Sequence, residues 1–269
     1  MMGKISVAIA TFNEEANIAD CLRSVKSFAD EIVVVDGASQ DQTRQIAQGL
    51  GARVIKTKNR PMFHINKNRA VEACTGNWIL VLDADERVSP ELGQEIRRVA
   101  HRKREKGDPV GFWIKRKNFF LTGFLKKGGQ YPDPVIRFFE KGKGKHPEVS
   151  VHEQIEVDGR LGWLKNDLVH LSSPTFTRYL TRENRYSSLE AQSMAERKLK
   201  INLFNSFQYL FLKPISTFFS LFVRHQGFRD GFPGFVFSLF SGLHYLLAYV
   251  KYWEMKRSGR VRDIKQDWL

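Results

Sequence analysis

Cysteine is scarce: only Cys21 and Cys74 occur in 269 residues, so a disulfide framework is excluded. Neither has a second Cys or a His at metal-ligand spacing, and both fall in helically patterned stretches, so they are expected to be small core residues in a reduced compartment. Acid is in short supply too, with 29 Asp and Glu against 43 Lys and Arg, a net charge of +14 and a pI near 9.8. That imbalance calls for an anionic partner: nucleic acid, anionic lipid headgroups or a phosphorylated substrate. No recognised nucleic-acid motif is present, so no nucleic acid is expected. No long apolar run opens the chain either. The stretch at 5–10 is too short for a signal peptide and runs into Asn13-Glu14-Glu15, so a cytoplasmic catalytic part is expected.

What is there begins with alternation of strand and helix over residues 4–106. Strands are expected at 5–10, 31–35, 53–56 and 78–82, with helices over 14–27, from the turn at 37–41 to about 50, and over 63–74. Asn13 is expected to cap the first helix, and Gly51 to stop the second. This βαβαβαβ order predicts a parallel sheet with right-handed crossovers, whose strand ends deliver Thr11, Asn13, Glu14, Asp36, Asp83 and Asp85 to one rim.

The densest signal is W-I-L-V-L-D-A-D-E-R-V at 78–88. Four apolar residues at 79–82 suit a strand buried on both faces, and Ser89-Pro90-Glu91 reads as cap, first-turn proline and first-turn acid of a helix. In an extended segment Asp83 and Asp85 point the same way, and two hard oxygen donors can hold Mg²⁺ or Mn²⁺ against a substrate's phosphates. A D-x-D also arises by chance about once in a chain of this size, so its place at a strand end carries the argument.

After the helix from Ser89 to about Glu105 the pattern changes to strands at 111–120, 135–140, 149–157 and near 168–171, then a polar helix over about 175–200. The expected organisation is 1–106 as the nucleotide-binding half of a domain, 107–200 as its acceptor side with the polar helix, and 201–269 as an appended helical region. That last region holds much of the chain's complement of 21 Phe. Over 213–224 Lys213, Ser216, Thr217, Ser220 and Arg224 share one helical face and Phe and Leu cover the other, the pattern of a helix lying in a membrane interface. Residues 231–250 carry no formal charge and meet the length criterion for spanning, but Pro233, Gly234, Gly242 and His244 suit a lipid-facing span poorly. Gly234, Ser238 and Gly242, spaced by four, offer a close helix contact. Interfacial, spanning and soluble-core readings stay open, and the basic tail from 251 suits an anionic membrane surface.

Taken together, S-V-A-I-A-T-F-N-E-E (6–15), V-V-V-D-G-A-S-Q-D-Q-T (33–43), K-N-R-A-V-E-A-C-T-G (67–76) and W-I-L-V-L-D-A-D-E (78–86) resemble the family 2 glycosyltransferases. Y-P-D-P-V-I-R-F-F (131–139), V-H-E (151–153) and the Phe-rich C-terminus are similar to the lipopolysaccharide core β-1,4-glucosyltransferase group within it. The resemblance implies a GT-A fold, a Rossmann-like mixed α/β sheet flanked by helices, with an amphipathic membrane-associated C-terminal region. It further implies a UDP-linked hexose donor, Mg²⁺ or Mn²⁺, inversion at the anomeric carbon, and a lipid-linked saccharide such as lipopolysaccharide inner core as acceptor. By the same resemblance Thr11, Asn13 and Glu14 hold the nucleotide, Asp36 contacts base or ribose, Arg69 is a donor-side arginine, and Asp83 and Asp85 place the metal against the diphosphate. Inversion needs a base for the acceptor hydroxyl; Glu153 is the first candidate and Asp133 the second, with His152 and Arg137 as candidate acceptor contacts. Ala10 replaces a common proline, and Asp36 stands alone where a pair is common. A Q-x-x-R-W motif is absent, so one sugar per encounter is expected. Two other readings are a sugar-phosphate nucleotidyltransferase, which expects a glycine-rich loop where Thr11-Phe12-Asn13-Glu14 stands, and a basic membrane- or nucleic-acid-binding module, which leaves the strand-end carboxylates unexplained.

Overall fold

The computed structural model describes residues 3–60, 63–147 and 154–258. In chain order the elements are β1 (Ile5–Thr11), α1 (Glu15–Val25), β2 (Glu31–Asp36), α2 (Thr43–Gly49), β3 (Arg53–Lys56), α3 (His64–Ala73), β4 (Trp78–Leu82), β5 (Glu86–Val88), α4 (Pro90–His101), β6 (Gly111–Phe120), β7 (Gly123–Phe124), β8 (Asp133–Glu140), β9 (Gly144–Lys145), β10 (Glu156–Val157), β11 (Leu161–Trp163), β12 (Leu168–Ser173), α5 (Phe176–Glu196), α6 (Leu203–Phe207), α7 (Lys213–Phe219) and α8 (Gly231–Ser258). The chain divides into two units, Met1–Lys117 with Pro132–Leu171, and Asn118–Tyr131 with Ser172–Leu269.

In the first unit β3, β2, β1 and β4 lie side by side, every pair parallel, as the βαβ alternation requires. Beyond β4 the sheet becomes mixed: β8 runs antiparallel to β4, and β6 antiparallel to β8. The expected mixed sheet flanked by helices is therefore present. All of β4 is buried, with Trp78, Leu80 and Leu82 packing into one cluster with α1 and α4, and Ile79 and Val81 into another with α3. Each such side chain contributes about 1.5–3 kcal/mol by burial, which is why an uninterrupted apolar run forms this central strand. Ser89 caps α4, its Oγ accepting the Leu92 N–H at 3.2 Å ahead of Pro90.

The second unit is helical. Residues 203–224 form one continuous helical run in which α6 and α7 are separated and followed by π-type turns. α8 packs against both α7 and α5. The small residues at four-residue spacing do make a close contact: a Cβ on Gly234 would lie 2.0 Å from the Gly227 carbonyl oxygen, and one on Gly242 2.5 Å from that of Pro214.

Candidate active site

β4 stops at Leu82, and the acidic stretch turns at once, the Glu86 N–H donating to the Asp83 carbonyl at 3.0 Å. The expectation that Asp83 and Asp85 project together from an extended strand is corrected by that turn, which sends them to different partners. Asp83 accepts from Lys67 Nζ of α3 and from Arg137 of β8, the latter at 2.6 Å. Arg137 reaches the fully buried Glu86 at 3.0 Å, Glu86 lies 3.5 Å from Arg116 of β6, and Arg116 grips Asp133 through two nitrogens at 2.7 and 3.0 Å. Three acids and three cations thus alternate in one chain, Lys67, Asp83, Arg137, Glu86, Arg116, Asp133. Glu86 further accepts the Asp83 N–H at 2.9 Å, which clamps the turn.

Burial raises the Asp83 pKa, but Arg137 and Lys67 overcome it and hold this carboxyl well below the usual range. Burial lowers the Lys67 pKa, with Asp83 opposing. For Arg137 burial is outweighed by Asp83 and Glu86, and its pKa is raised. Arg137 reaches inward because of a bulge. β8 pairs Phe138 with Phe112 but Ile136 with Trp113, so Arg137 has no cross-strand partner and its side chain is re-aimed. Arg137, expected as an acceptor contact, is buried at 6% exposure and bonded to the acidic turn.

Asp85 faces His170 of β12, with Oδ2 and Nε2 3.6 Å apart, and its carbonyl accepts the Leu171 N–H at 2.9 Å. A carboxylate and an imidazole at this separation can ligate a single divalent cation, with the remaining positions left for water and phosphate oxygens. Among the described residues no three His, Cys, Asp or Glu are placed to hold a metal on their own. Asp83 is a poor member of that set because Lys67 and Arg137 already engage both of its oxygens.

At the neighbouring strand ends the loops after β1 and β2 zip together. Asn13 adopts a left-handed conformation with φ of 52°, donates its N–H to Ser39 Oγ and accepts the Gln40 N–H, both at 2.9 Å. The Glu14 N–H donates to Thr43 Oγ1 at 2.8 Å. Asn13 is thus not the expected cap; Glu14 stands at that position, with no side-chain capping bond. Asp36 is fully buried, accepting the Ser39 N–H at 3.3 Å on each oxygen and Arg44 Nε at 3.0 Å, so its carboxylate organises the loop from within. Thr11 Oγ1 is buried without a hydrogen-bond partner among the described residues, a polar atom with capacity to spare at this rim. Arg69 is exposed and donates to Thr57 Oγ1, while Lys67 from the same helix faces Asp83. His152 and Glu153 lie outside the described residues. The residue after them, Gln154, receives the Ile136 N–H and donates to the Pro134 carbonyl, each at 3.4 Å.

Lys67, Arg116, His146 and His170 were not singled out by sequence reasoning. Asn68 and His146 exchange two hydrogen bonds of 2.9 Å, and the His146 ring stacks on His64 with centroids 4.3 Å apart. Burial first, then Lys67, pushes the His146 pKa down to about 2, so the ring is neutral. Lys67 lies inside the quoted K-N-R motif and was detectable there. His170 had no local signal, because only the pairing of β12 with β5 brings it to the acidic turn.

Carboxylates, a buried lysine and interlocked loops thus gather at the C-terminal ends of the parallel strands, the edge at which open α/β sheets bind ligands. The family model described as "Glycosyl transferase family 2" matches residues 6–139, and the chain belongs to that family. It is 32% identical over 246 residues to an uncharacterized glycosyltransferase of Rickettsia felis, covering 88% of this chain and 85% of that one. It is 27% identical to the lipopolysaccharide core biosynthesis glycosyltransferase LpsC of Rhizobium meliloti, over 93% of this chain and 92% of that one. Among solved structures, glucosyl-3-phosphoglycerate synthase from Mycobacterium tuberculosis in complex with Mn²⁺, UDP and glucosyl-3-phosphoglycerate matches at 25% identity over 45% of each chain, with a TM-score of 0.33.

Proposed function

We propose that this family 2 glycosyltransferase moves one hexose, glucose by its subgroup resemblance, from a UDP-sugar to a lipid-linked saccharide such as lipopolysaccharide inner core. The transfer inverts the anomeric centre and depends on Mg²⁺ or Mn²⁺. The observation that carries this reading is the separation of roles in the acidic turn. The alternating chain of charges saturates Asp83 and Glu86, and Asp85 is set opposite His170. Asp85 and His170 would hold the divalent cation, which when bound neutralises charge developing on the diphosphate leaving group. Lys67, buried and aimed at the same turn, adds positive charge on the donor side. The interlocked loops at 11–15 and 37–43 form the nucleotide floor, where Thr11 Oγ1 and backbone groups meet base and ribose while Asp36 keeps the floor rigid. Arg69 and Thr57 stand near the end of β3 as a further donor-side pair.

Glu153 is proposed as the base that takes the proton from the acceptor hydroxyl, with His152 beside it in sequence as an acceptor contact. Asp133 is the weaker alternative, since two Arg116 nitrogens occupy one of its oxygens. The acceptor assignment is supported by the similarity to LpsC along nearly the whole chain. The same reading carries a location at the cytoplasmic face of a bacterial inner membrane, against anionic lipid. The test is transfer from UDP-glucose with and without Mn²⁺, using lipid-linked core acceptors. Metal-dependent transfer with inversion is expected, and metal-independent transfer or retention of configuration would overturn the reading.

A further inference from the structure

α8 is the one helical segment among the described residues that is long and apolar enough to cross a membrane. Its surroundings within the second unit keep it on one side. Asp230, immediately before α8, accepts the backbone N–H groups of Lys126 and Lys127 at 3.1 and 2.8 Å, and the Gly128 N–H donates to the His225 carbonyl at 2.9 Å. The turn leading into α8 is therefore tied to residues 118–131, which are joined by peptide bonds to β6 on one side and β8 on the other. Farther along, His244 bonds Glu183 of α5. Near its C-terminal end Lys251 Nζ sits among Asn184 Oδ1, Ser187 Oγ, Ser188 Oγ and the Asn184 carbonyl at 2.6–2.9 Å. α5 also carries Arg178, Arg182, Arg185 and Glu190, with Arg197 at its C-cap, so hydrocarbon cannot surround it. A crossing α8 would carry the turn at 225–230, and residues 118–131 with it, to the far side of the bilayer from the sheet strands that flank them in the chain.

The apolar surface lies instead along residues 203–224. Phe204, Phe207, Phe211, Ile215, Phe219 and Val223 recur at three- and four-residue intervals and are 53–72% exposed, a stripe roughly 30 Å long. The one charged side chain before Arg224, Lys213, is turned inward, 3.7 Å above the Tyr209 ring and 5.2 Å from that of Tyr245. Both ends of the stripe are basic, with exposed Lys198 and Lys200 before it and Arg224 and Arg229 after it, and Phe232, 73% exposed, extends it at the Arg229 end. A helix that is apolar along one exposed face and cationic at both ends matches the boundary between acyl chains and anionic headgroups, lying in the plane of the membrane.

We propose that residues 203–224 insert lengthwise into one anionic leaflet, and that α8 does not cross the bilayer. The proposal rests on the membrane reading given above and adds its geometry. The test uses the full chain on sealed vesicles containing phosphatidylglycerol, with the catalytic unit outside. Arg229→Cys and Lys103→Cys, in separate proteins that keep the buried Cys21 and Cys74, should both react with a membrane-impermeant maleimide added outside. Labelling of Arg229→Cys only after permeabilisation would overturn the in-plane geometry while leaving membrane binding intact. Phe211→Glu combined with Phe219→Glu should lower vesicle partition at least about tenfold, with thermal protection by UDP-glucose unchanged. Unchanged partition, or conversion of a dimer to a monomer in its place, would overturn the assignment of the stripe to lipid. Wild-type protein that transfers sugar to a soluble acceptor yet binds no anionic vesicles would remove the membrane reading itself.

Discussion

The two units break the ordinary rule of burial in opposite ways. The first buries charge: Lys67, Arg137 and Glu86 are each under 9% exposed, and their carboxylate and guanidinium partners leave no excess of either sign along the chain from Lys67 to Asp133. The second exposes aromatic surface, with Phe204, Phe219 and Phe232 each more than half accessible. A soluble domain optimised for stability alone has little reason for either, since buried ion pairs often do no better than apolar replacements and exposed apolar stripes invite association. Both therefore point to function: one prepares an electrostatic site, the other a surface for lipid. Removing a charge from the first should be costly, and removing a phenyl ring from the second should cost the isolated protein almost nothing.

The largest effect is expected at the rim. Asp85→Asn should lower transfer by about a thousandfold with little change in thermal stability, because the cation held by Asp85 and His170 is asked to offset leaving-group charge. Turnover within a few-fold of wild type would move the metal elsewhere. Arg137→Met comes next. It leaves Asp83 and Glu86 buried without their shared cation and should destabilise the fold by about 3–5 kcal/mol in urea unfolding, with Glu86→Gln added to it recovering part of the loss. A cost below about 1 kcal/mol would mean the charge chain is not a unit.

A smaller effect is expected on acidification. Glu31 bridges Ser6 of β1, the Thr75 N–H and Arg53 of β3, and although burial raises its pKa these hydrogen bonds bring it down to about 2. A carboxylate whose pKa is depressed in the folded state stabilises the fold above its ordinary value near 4.5, and that contribution is lost as pH falls toward 2. Glu31→Gln should therefore melt below wild type at pH 7, with the gap closing toward pH 2; a gap independent of pH would exclude the linkage. The smallest effect on stability is expected for Phe219→Ser, within about 0.5 kcal/mol of wild type, because this ring is already in water. A larger loss would show that the stripe packs against protein.

The parallel strands were legible because each is a short apolar run ending at a polar turn, and because βαβ alternation leaves few topologies open. The acidic motif was legible as chemistry but not as geometry: β4 ends one residue before Asp83, so a period-two argument reached past the strand. The burial of Arg137 was not legible, because it follows from a bulge that depends on how β8 registers with β6, which no local pattern reveals. Which of Lys67 and Arg69 faces the acidic turn reflects a different limit. Two residues apart, they sit about 200° apart around α3, so only one can face Asp83, and helical phase alone does not say which. In the C-terminal region the stripe was visible as periodicity, but the polar anchors of α8 required Glu183 and Asn184 from a distant helix.

Thermal unfolding of wild type and Asp85→Asn with UDP-glucose, with and without Mn²⁺, tests the donor site most directly. A saturating donor should raise the wild-type Tm by about 5–10 °C only when Mn²⁺ is present, and Asp85→Asn should show no such rise. An equal rise in both proteins, or no rise with any nucleotide sugar and metal, would contradict the assignment of Asp85 and of this rim as the donor site.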